Sequence, residues 1–222
     1  MTATAPDTIT IAMMRESLYT AVVCDALDAL GYKEQSPRVE IRPLTTDGLL
    51  VGRAKTTQWE DVFEVDPKPY ELELRAIDTC KPDDIFVAAA GGSLRSAIWG
   101  EILSTASRNQ GCVGAIVDGT ARDVKTIRAM GFPCFARGMS PYDSKDRQRV
   151  VDLDIDVEIG GTHIRPGELV FADEDGVVVV PSEVEDVAIR AAWQKVHDEN
   201  EVRDAIRGGM NAEEAFNRYG VL

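Results

Sequence analysis

The chain has no uninterrupted run of 18 or more apolar residues, which excludes a conventional membrane-spanning helix. Its first residues, Met1-Thr2-Ala3-Thr4-Ala5-Pro6-Asp7, lack a basic stretch followed by an apolar core, so no secretory leader is expected and a cytoplasmic location is. Cysteine is scarce. Cys24, Cys80, Cys112 and Cys134 are scattered without CxxC spacing inside apolar segments, and they read as buried free thiols rather than zinc ligands or disulfide partners. The two histidines, His163 and His197, stand far apart, so a His-based zinc site is not expected. Cations are outnumbered, with 24 Lys and Arg against 38 Asp and Glu and a formal net charge of -14. Binding to a phosphate backbone needs clustered Lys and Arg, so direct contact with nucleic acid is not expected. Such acidity favours an ordinary acidic soluble enzyme over a mimic of RNA, and is compatible with a protein partner that is itself basic.

What the chain does contain is 222 residues with enough apolar content for one sizeable core, and a single domain over 1–222 is expected. Residues 1–15 read as a loose N-terminal segment. Ser17 to Leu30 carries helical periodicity and stops at Gly31. Strands are expected over 49–58 and 84–90, with a helix from Tyr70 to Thr79 presenting Leu72, Leu74, Ala76 and Ile77. Val151 to Ile159 alternates strictly between aliphatic and acidic residues, which predicts one strand with a solvated acidic face rather than a row of metal ligands. Leu169 to Ala172 and Val177 to Val180 read as short strands joined by the acidic turn Asp173-Glu174-Asp175-Gly176. After Pro181, Ser182 is positioned to cap a long helix, with Glu185 completing a capping box. Residues 182–222 are therefore expected to form a C-terminal helical extension that makes subunit contacts, closing with a short helix from Asn211 to Tyr219.

The chemistry is sought between Leu94 and Asp123. Leu94, Ala97, Ile98, Ile102, Leu103 and Ala106 have helical spacing, but glycine in mid-helix is unfavourable by roughly 1 kcal/mol relative to alanine, so Gly100 predicts a boundary. A helix starting there points its first amides outward at the positive end of its dipole, a ready seat for an anion. Val113 to Val117 is expected as the following strand, ended by Asp118-Gly119. In open α/β sheets ligands sit beyond the carboxyl ends of strands, which puts Gly119 to Asp123 where chemistry is usually found. Arg122 and Asp123 then open the next helix. A guanidinium is a planar fork for a carboxylate or enolate, and a carboxylate is the usual ligand of magnesium, which keeps most of its waters. The same pair in a first helical turn is also the ordinary pattern of a solvated or capping group. Gly91-Gly92-Ser93 lacks the context of a phosphate-binding loop and reads as a turn beside the carboxylate seat. Tyr142, Lys145 and Arg147 lie in a polar loop that could line a lid.

Three stretches together are familiar: Ala97-Ile98-Trp99-Gly100-Glu101-Ile102-Leu103, Val117-Asp118-Gly119-Thr120-Ala121-Arg122-Asp123, and Gly131-Phe132-Pro133-Cys134-Phe135-Ala136-Arg137-Gly138. They resemble the RraA-like family, which includes class II 4-hydroxy-4-methyl-2-oxoglutarate / 4-carboxy-4-hydroxy-2-oxoadipate aldolases and regulators of ribonuclease E. The likeness extends to Ser17–Gly31, Ile41-Arg42-Pro43-Leu44, the stretch from Arg165 to Val177, and the ending from Ala215 to Leu222. It implies an α/β protein with a β/β/α swivelling-type core, assembled as a homotrimer or a hexamer of trimers with the site at a subunit boundary. Carried over, it implies that the amides of Gly100, Glu101, Ile102 and Leu103 hold a pyruvate carboxylate. Arg122 would contact the keto oxygen, and Asp123 would be the protein ligand of Mg2+ or Mn2+. Glu101 would stand near the metal's waters. The family's aldolases carry an acid three residues after the Asp, where this chain has Thr126, and a neighbouring subunit's Glu199 or Glu201 could supply one.

The activity so implied is a metal-dependent retro-aldol cleavage of a 4-hydroxy-2-oxo acid that releases pyruvate. Oxaloacetate decarboxylation would be a side activity through the same enolate, with a metal-activated water as the proton carrier. The alternative carried by the same resemblance is a non-catalytic regulator that binds and inhibits a ribonuclease.

Overall fold

The computed structural model describes residue 6 and residues 8–220, apart from the side chains of 200 and 201. Helix α1 (Ile11–Ser17) is capped by Thr10, whose hydroxyl accepts from Met13 N, and α2 spans Thr20–Ala29. The strands and helices that follow are β1 (Arg42–Pro43), β2 (Leu50–Asp61), α3 (Glu71–Asp78), β3 (Asp84–Ala89), β4 (Ala97–Trp99), α4 (Glu101–Asn109), β5 (Gly114–Ala121) and α5 (Val124–Met130). Then come β6 (Cys134–Met139), β7 (Gln148–Leu153), β8 (Val157–Ile159), β9 (Thr162–Ile164), β10 (Leu169–Ala172), β11 (Val177–Val180), α6 (Glu185–Arg207) and α7 (Ala212–Tyr219).

One mixed sheet runs in the order β1-β6-β5-β3-β2-β10-β11, with β4 added to β5 and β7 to β2. Its centre is parallel: β2, β3, β5 and β6 pair side by side in one direction. A separate hairpin, β8-β9, turns at Gly160 and Gly161, both of which have positive φ. The parallel strands are covered on both faces, so they read as near-continuous apolar runs. Their side chains alternate between two cores. Phe86 and Ala88 of β3 and Ala115 and Val117 of β5 enter a core with Trp59, Trp99, Ile127 and Phe132. Ile85 and Val87, with Ile116, enter the opposite core with Phe135, Ile159, Ile164 and Val170. A third core joins α2 and α6 to the β10-β11 end of the sheet through Val23, Leu27, Phe171, Val180, Ala192 and Trp193. This is the mixed α/β architecture of a β/β/α core expected from the sequence.

Four expectations are corrected. The described part of the N-terminal segment is not loose: α1 buries Met14, and Arg15 donates to Val51 O at 2.7 and 3.1 Å and to Asp83 Oδ1 at 2.7 Å. The strand predicted over 151–159 is interrupted, because Asp154 takes a left-handed φ of 56° and turns its carboxylate onto the buried Lys55, 2.8 Å away. Ser182 does not cap α6. The helix starts at Glu185, whose carboxylate is held in a bidentate pair by Arg53 at 2.6 and 2.7 Å rather than folding back as a capping box requires. Finally, β5 continues through Asp118 and Gly119 to Ala121 with every residue buried.

That extension of β5 has a physical basis. Asp118 is 1% exposed and is paired with Arg137 of β6 while accepting from Gly92 N at 3.0 Å, so its charge is neutralised inside the sheet. Gly91 and Gly92 therefore turn around a structural ion pair, and a Cβ at Gly92 would lie 2.9 Å from the Arg137 guanidinium carbon. The first half of α6, through Ala188, Ile189, Ala192 and Trp193, is committed to covering its own chain's sheet.

The tightest backbone contact is at Gly52, where a Cβ would lie 2.3 Å from Asp83 O and 2.9 Å from Ile85 Cγ1. We expect Gly52→Ala to destabilise the protein by about 3 kcal/mol or more, because backbone cannot yield as a side chain does. A fall in the denaturant midpoint at unchanged slope would register it.

Candidate active site

The site is built by the junction of β4, α4 and β5. Ala97 and Trp99 pair with Thr120 and Ala121, Arg122 N donates to Trp99 O at 2.9 Å, and the Thr120 hydroxyl donates to Ser96 O at 2.9 Å. Gly100 is the N-cap of α4, as the sequence predicts, and has no side chain to supply a cap. Ser104 closes the corner instead: its hydroxyl donates to Gly100 O at 2.9 Å and accepts from Trp99 Nε1 at 2.9 Å.

Arg122 and Asp123 face this helix start. Asp123 is the N-cap of α5 with a φ of 57°, and its Oδ2 accepts from Glu101 N at 3.3 Å. A Cβ on Gly100 would lie 3.0 Å from Asp123 Oδ2 and 3.3 Å from Arg122 Cγ. Only glycine leaves that contact unstrained. Of the amides expected to seat a carboxylate, Glu101 N–H is therefore already engaged by Asp123. Those of Ile102 and Leu103 lie in the first turn and have no intrahelical acceptor.

These groups line one open cavity of about 260 Å³. Gly100, Glu101, Ile102, Leu103, Arg122 and Asp123 all contribute to it, so the structure brings the sequence-predicted site residues together. Thr126 does not join them. It is exposed on α5, with its N–H on Asp123 O at 2.9 Å. Glu199 accepts from Tyr19 OH at 2.8 Å and lies 3.7 Å from Lys195 and 3.6 Å from Arg203, all within its own chain. The Glu201 side chain lies outside the described residues.

Three acid or hydroxyl groups in the cavity were not found by reading the sequence. Arg122 pairs with Asp143 at 2.8 Å, and Tyr70 OH donates to the other Asp143 oxygen at 2.8 Å. Asp143 belongs to the polar loop after β6, but Tyr142, Lys145 and Arg147 do not line the cavity. The Arg147 guanidinium carbon sits 5.1 Å over the Tyr142 ring. Burial works against the Asp143 charge. The Lys145 N–H, the Tyr70 hydroxyl and Arg122 outweigh it and hold the carboxyl below the usual carboxylate range. Burial, reinforced by Asp143, pushes Tyr70 up to about 12.

The third group is Glu73. The helix α3 buries Glu73, Ala76 and Ile77, whereas Leu74, one of the apolar residues noted in its sequence, is 52% exposed at the cavity rim. Glu73 itself is 4% exposed, and its Oε2 has no hydrogen-bond partner among the described residues. Desolvation, then the neighbouring Asp143 charge, raises its carboxyl to about 8, with Arg122 opposing. A signal existed in hindsight: Glu73, Ala76 and Ile77 share the i, i+3, i+4 spacing of one helix face.

The donor set also bears on metal binding. Asp123 Oδ1 accepts no hydrogen bond from any described residue, and Glu101 stands beside it with one oxygen accepting from Thr105 OH at 2.9 Å. No cluster of three or more His, Cys, Asp or Glu suited to a metal occurs among the described residues. One or two carboxylates at an open cavity fit a mostly hydrated cation such as magnesium and not a cation caged by protein.

Known proteins resemble the chain throughout. The family model described as RraA-like (Aldolase/RraA) matches residues 20–179. A protein of Halalkalibacterium halodurans with the provisional name 4-hydroxy-4-methyl-2-oxoglutarate aldolase is 31% identical over 89% of each chain. An uncharacterized Pseudomonas syringae protein of known structure superposes with a TM-score of 0.81 at 28% identity, covering 95% of this chain and 98% of that one. Streptomyces coelicolor RraAS2, described as an unusual member of the RNase ES inhibitor RraA family, superposes at 0.77 with 27% identity over 89% of this chain and 97% of its own.

Glu73 generates a stability prediction. Its folded value lies above that of an exposed glutamate, so the native state holds a proton that the unfolded chain releases, and stability attached to this group is lost as pH rises toward 8. Glu73→Gln removes the effect. The stability of the variant relative to the parent should grow by up to about 1.4 kcal/mol per pH unit between about pH 5 and pH 8, read from denaturant melts. A pH-independent difference would contradict the assignment of a buried, protonated Glu73.

Proposed function

We propose that this chain, which belongs to the RraA-like (Aldolase/RraA) family, is a divalent-metal-dependent pyruvate aldolase that cleaves a 4-hydroxy-2-oxo acid such as 4-hydroxy-4-methyl-2-oxoglutarate. The observation that carries this reading is the meeting, in one cavity, of the α4 N-terminus, the Arg122 guanidinium and the outward-facing Asp123 carboxylate around a glycine that leaves room for them. The provisional aldolase name of the H. halodurans relative supports it.

In this reading the 2-oxo acid binds by its carboxylate at the Ile102 and Leu103 amides, where the helix dipole and two unpaired N–H groups favour an anion. Arg122 faces the keto oxygen. Breaking the C3–C4 bond leaves a pyruvate enolate, and the guanidinium stabilises the charge that develops on that oxygen. Asp143 orients Arg122 through the 2.8 Å pair, and Tyr70 orients Asp143 in turn. Asp123, with Glu101 beside it, would hold the divalent cation, which supplies further positive charge at the enolate. Loss of carbon dioxide from oxaloacetate yields the same enolate, so decarboxylation belongs to the same site.

The rim of the cavity also supports an assembly. Leu74 and Ile102 on one side and Met139 beyond Arg122 are 52%, 74% and 68% exposed. Apolar side chains concentrated beside a site suit burial against a second copy of the chain. A homotrimer, or a hexamer of trimers, with the site at the subunit boundary is the assembly proposed.

Pyruvate release from 4-hydroxy-4-methyl-2-oxoglutarate and from oxaloacetate is expected with magnesium or manganese and not with excess chelator. Arg122→Ala and Asp123→Asn should each lower kcat/KM by about 100-fold or more in both reactions. If both variants kept parental activity and metal dependence, the site would be wrongly assigned. Silence of the parent protein on every oxo acid tried would favour the ribonuclease-binding regulator. A second variant tests the cradle: Gly100→Ala should still fold, because the Gly100 backbone is extended, with a fall in melting temperature of a few degrees, yet lose about 10-fold or more in kcat/KM as its Cβ displaces Asp123 and Arg122.

A further inference from the structure

Aldol cleavage needs a group that removes the proton of the C4 hydroxyl, and most of the cavity cannot serve. A guanidinium stays protonated and backbone N–H groups only donate. Tyr70 is held protonated and hydrogen-bonded to Asp143, and both Asp143 oxygens are engaged, one by Tyr70 and the other by Arg122. Among these groups Glu73 is the one that lines the cavity from a buried position, and its Oε2, itself out of solvent contact, has no hydrogen-bond partner among the described residues. Leaving a buried carboxyl oxygen unpaired is unfavourable, and native proteins seldom retain such a group without a use. A ligand hydroxyl entering the cavity would meet the Glu73 carboxyl at the cavity wall.

We propose that Glu73 is the acid–base residue of the cleavage, taking the C4 hydroxyl proton of the bound 4-hydroxy-2-oxo acid and returning it to the enolate carbon. The inference rests on the aldolase reading above. The Glu73 carboxylate accepts the O–H proton, and the electrons of that bond become the second bond of the new C4 carbonyl. The C3–C4 bond breaks, its electrons form the C2–C3 double bond, and the keto oxygen takes the negative charge beside Arg122. After the carbonyl product departs, the proton on Glu73 passes to C3, which becomes the methyl carbon of pyruvate, and the carboxylate is regenerated. Protons and electrons balance without an oxidant or reductant.

The surroundings suit this task. Tyr70 at the start of α3, Arg122 beyond β5, Asp143 from the loop after β6, and Glu101 and Asp123 at the α4 start are the charged or titratable groups lining the cavity with Glu73. Burial and the Asp143 charge raise Glu73 while Arg122 opposes them, which leaves its titration in the range where a general base works best at mildly alkaline pH.

Oxaloacetate decarboxylation separates this role from a structural one, because it forms the same enolate with no hydroxyl proton to remove, and that enolate can take its proton from solvent after the carbon–carbon bond has broken. The full-length protein and Glu73→Gln are assayed with magnesium on both substrates across pH 6 to 10. In the variant, kcat/KM for cleavage should fall by at least about 100-fold relative to kcat/KM for decarboxylation. In the parent, kcat/KM for cleavage should rise with pH to a plateau above about pH 8, a limb that decarboxylation and the variant lack. An equal fall in both reactions, or a limb that persists in the variant, overturns the proposal. Should the variant not fold, the parent's two pH profiles decide alone, and identical profiles overturn it. Failure of the aldolase reading is distinct, since the unsubstituted protein would then release pyruvate from neither substrate.

Discussion

The site depends on one backbone constraint: a three-residue strand, β4, is laid in parallel on the last residues of β5. Trp99 O accepts from Arg122 N at 2.9 Å, so the residue that ends one strand and the residue that follows the other are fixed to each other through main chain. Immediately after Trp99 the chain must turn into α4 while passing the Asp123 carboxylate, and the 3.0 Å separation between that oxygen and a Cβ on residue 100 leaves glycine as the residue that fits. Asp123 completes the geometry by adopting a left-handed φ, a conformation in which aspartate is among the few tolerated side chains. Two helix starts, those of α4 and α5, therefore meet at a point set by strand pairing and not by the reach of long side chains. The aromatic pair Phe86 and Trp99, with ring centroids 4.8 Å apart, fills the space behind that point and makes it rigid.

On this scaffold the electrostatics sort the carboxyl groups by role. The cavity holds Glu73, Glu101, Asp123 and Asp143 against a single guanidinium, Arg122. Asp143 receives the guanidinium, a tyrosine hydroxyl and a backbone N–H, and it is held ionised. Glu73 lies near that charge, its Oε2 has no partner among the described residues, and it is held largely protonated at neutral pH. The two divide in this way because Glu73 is desolvated by burial and feels the neighbouring Asp143 charge, while Asp143, partly exposed, keeps its hydrogen bonds and the guanidinium. Neighbouring acids whose environments push their titrations apart are a recognised arrangement for acid–base work. Asp123, nearly half exposed at the mouth, keeps its Oδ1 without a hydrogen bond from any described residue.

Much of this was legible in the sequence, and the rest was hidden for identifiable reasons. Gly100 was readable because glycine contradicts a helix interior, and the bounds of β10 and β11 were readable because short aliphatic runs flank an acidic turn. Asp118-Gly119 looked like the end of a strand, since an acid and a glycine normally mark a turn. It is buried strand because Arg137, 19 residues later, neutralises the Asp, and because Gly119 admits Ser93 O, which a Cβ there would approach to 3.1 Å. Likewise the alternation of 151–159 gave no warning of the break at Asp154, which is set by Lys55 on a distant strand. Glu71 and Glu73 are both acids in a first helical turn, favourable to the dipole, and only the spacing of Glu73 to Ala76 and Ile77 hints at a difference between them. Only packing separates them, with Glu71 outward on Lys68 at 2.9 Å and Glu73 inward without a partner.

The same reasoning bears on Thr126, where the family pattern led one to expect an acid. Spacing along a chain can reveal an acid only when it is supplied locally, one turn from Asp123. In this protein the acids that join Arg122 and Asp123 come from α3, about 50 residues before, and from the loop after β6, about 20 residues after. They converge because β4 and β5 carry Arg122 to the sheet end that α3 and this loop also cover, a consequence of strand order that no local window contains. A threonine at 126 therefore removes one acid from the exposed face of α5 but leaves the cavity with four carboxyl groups, one of them buried and unpartnered. The acids that gather around Arg122 are that interior set, and the exposed position three residues after Asp123 is not among them.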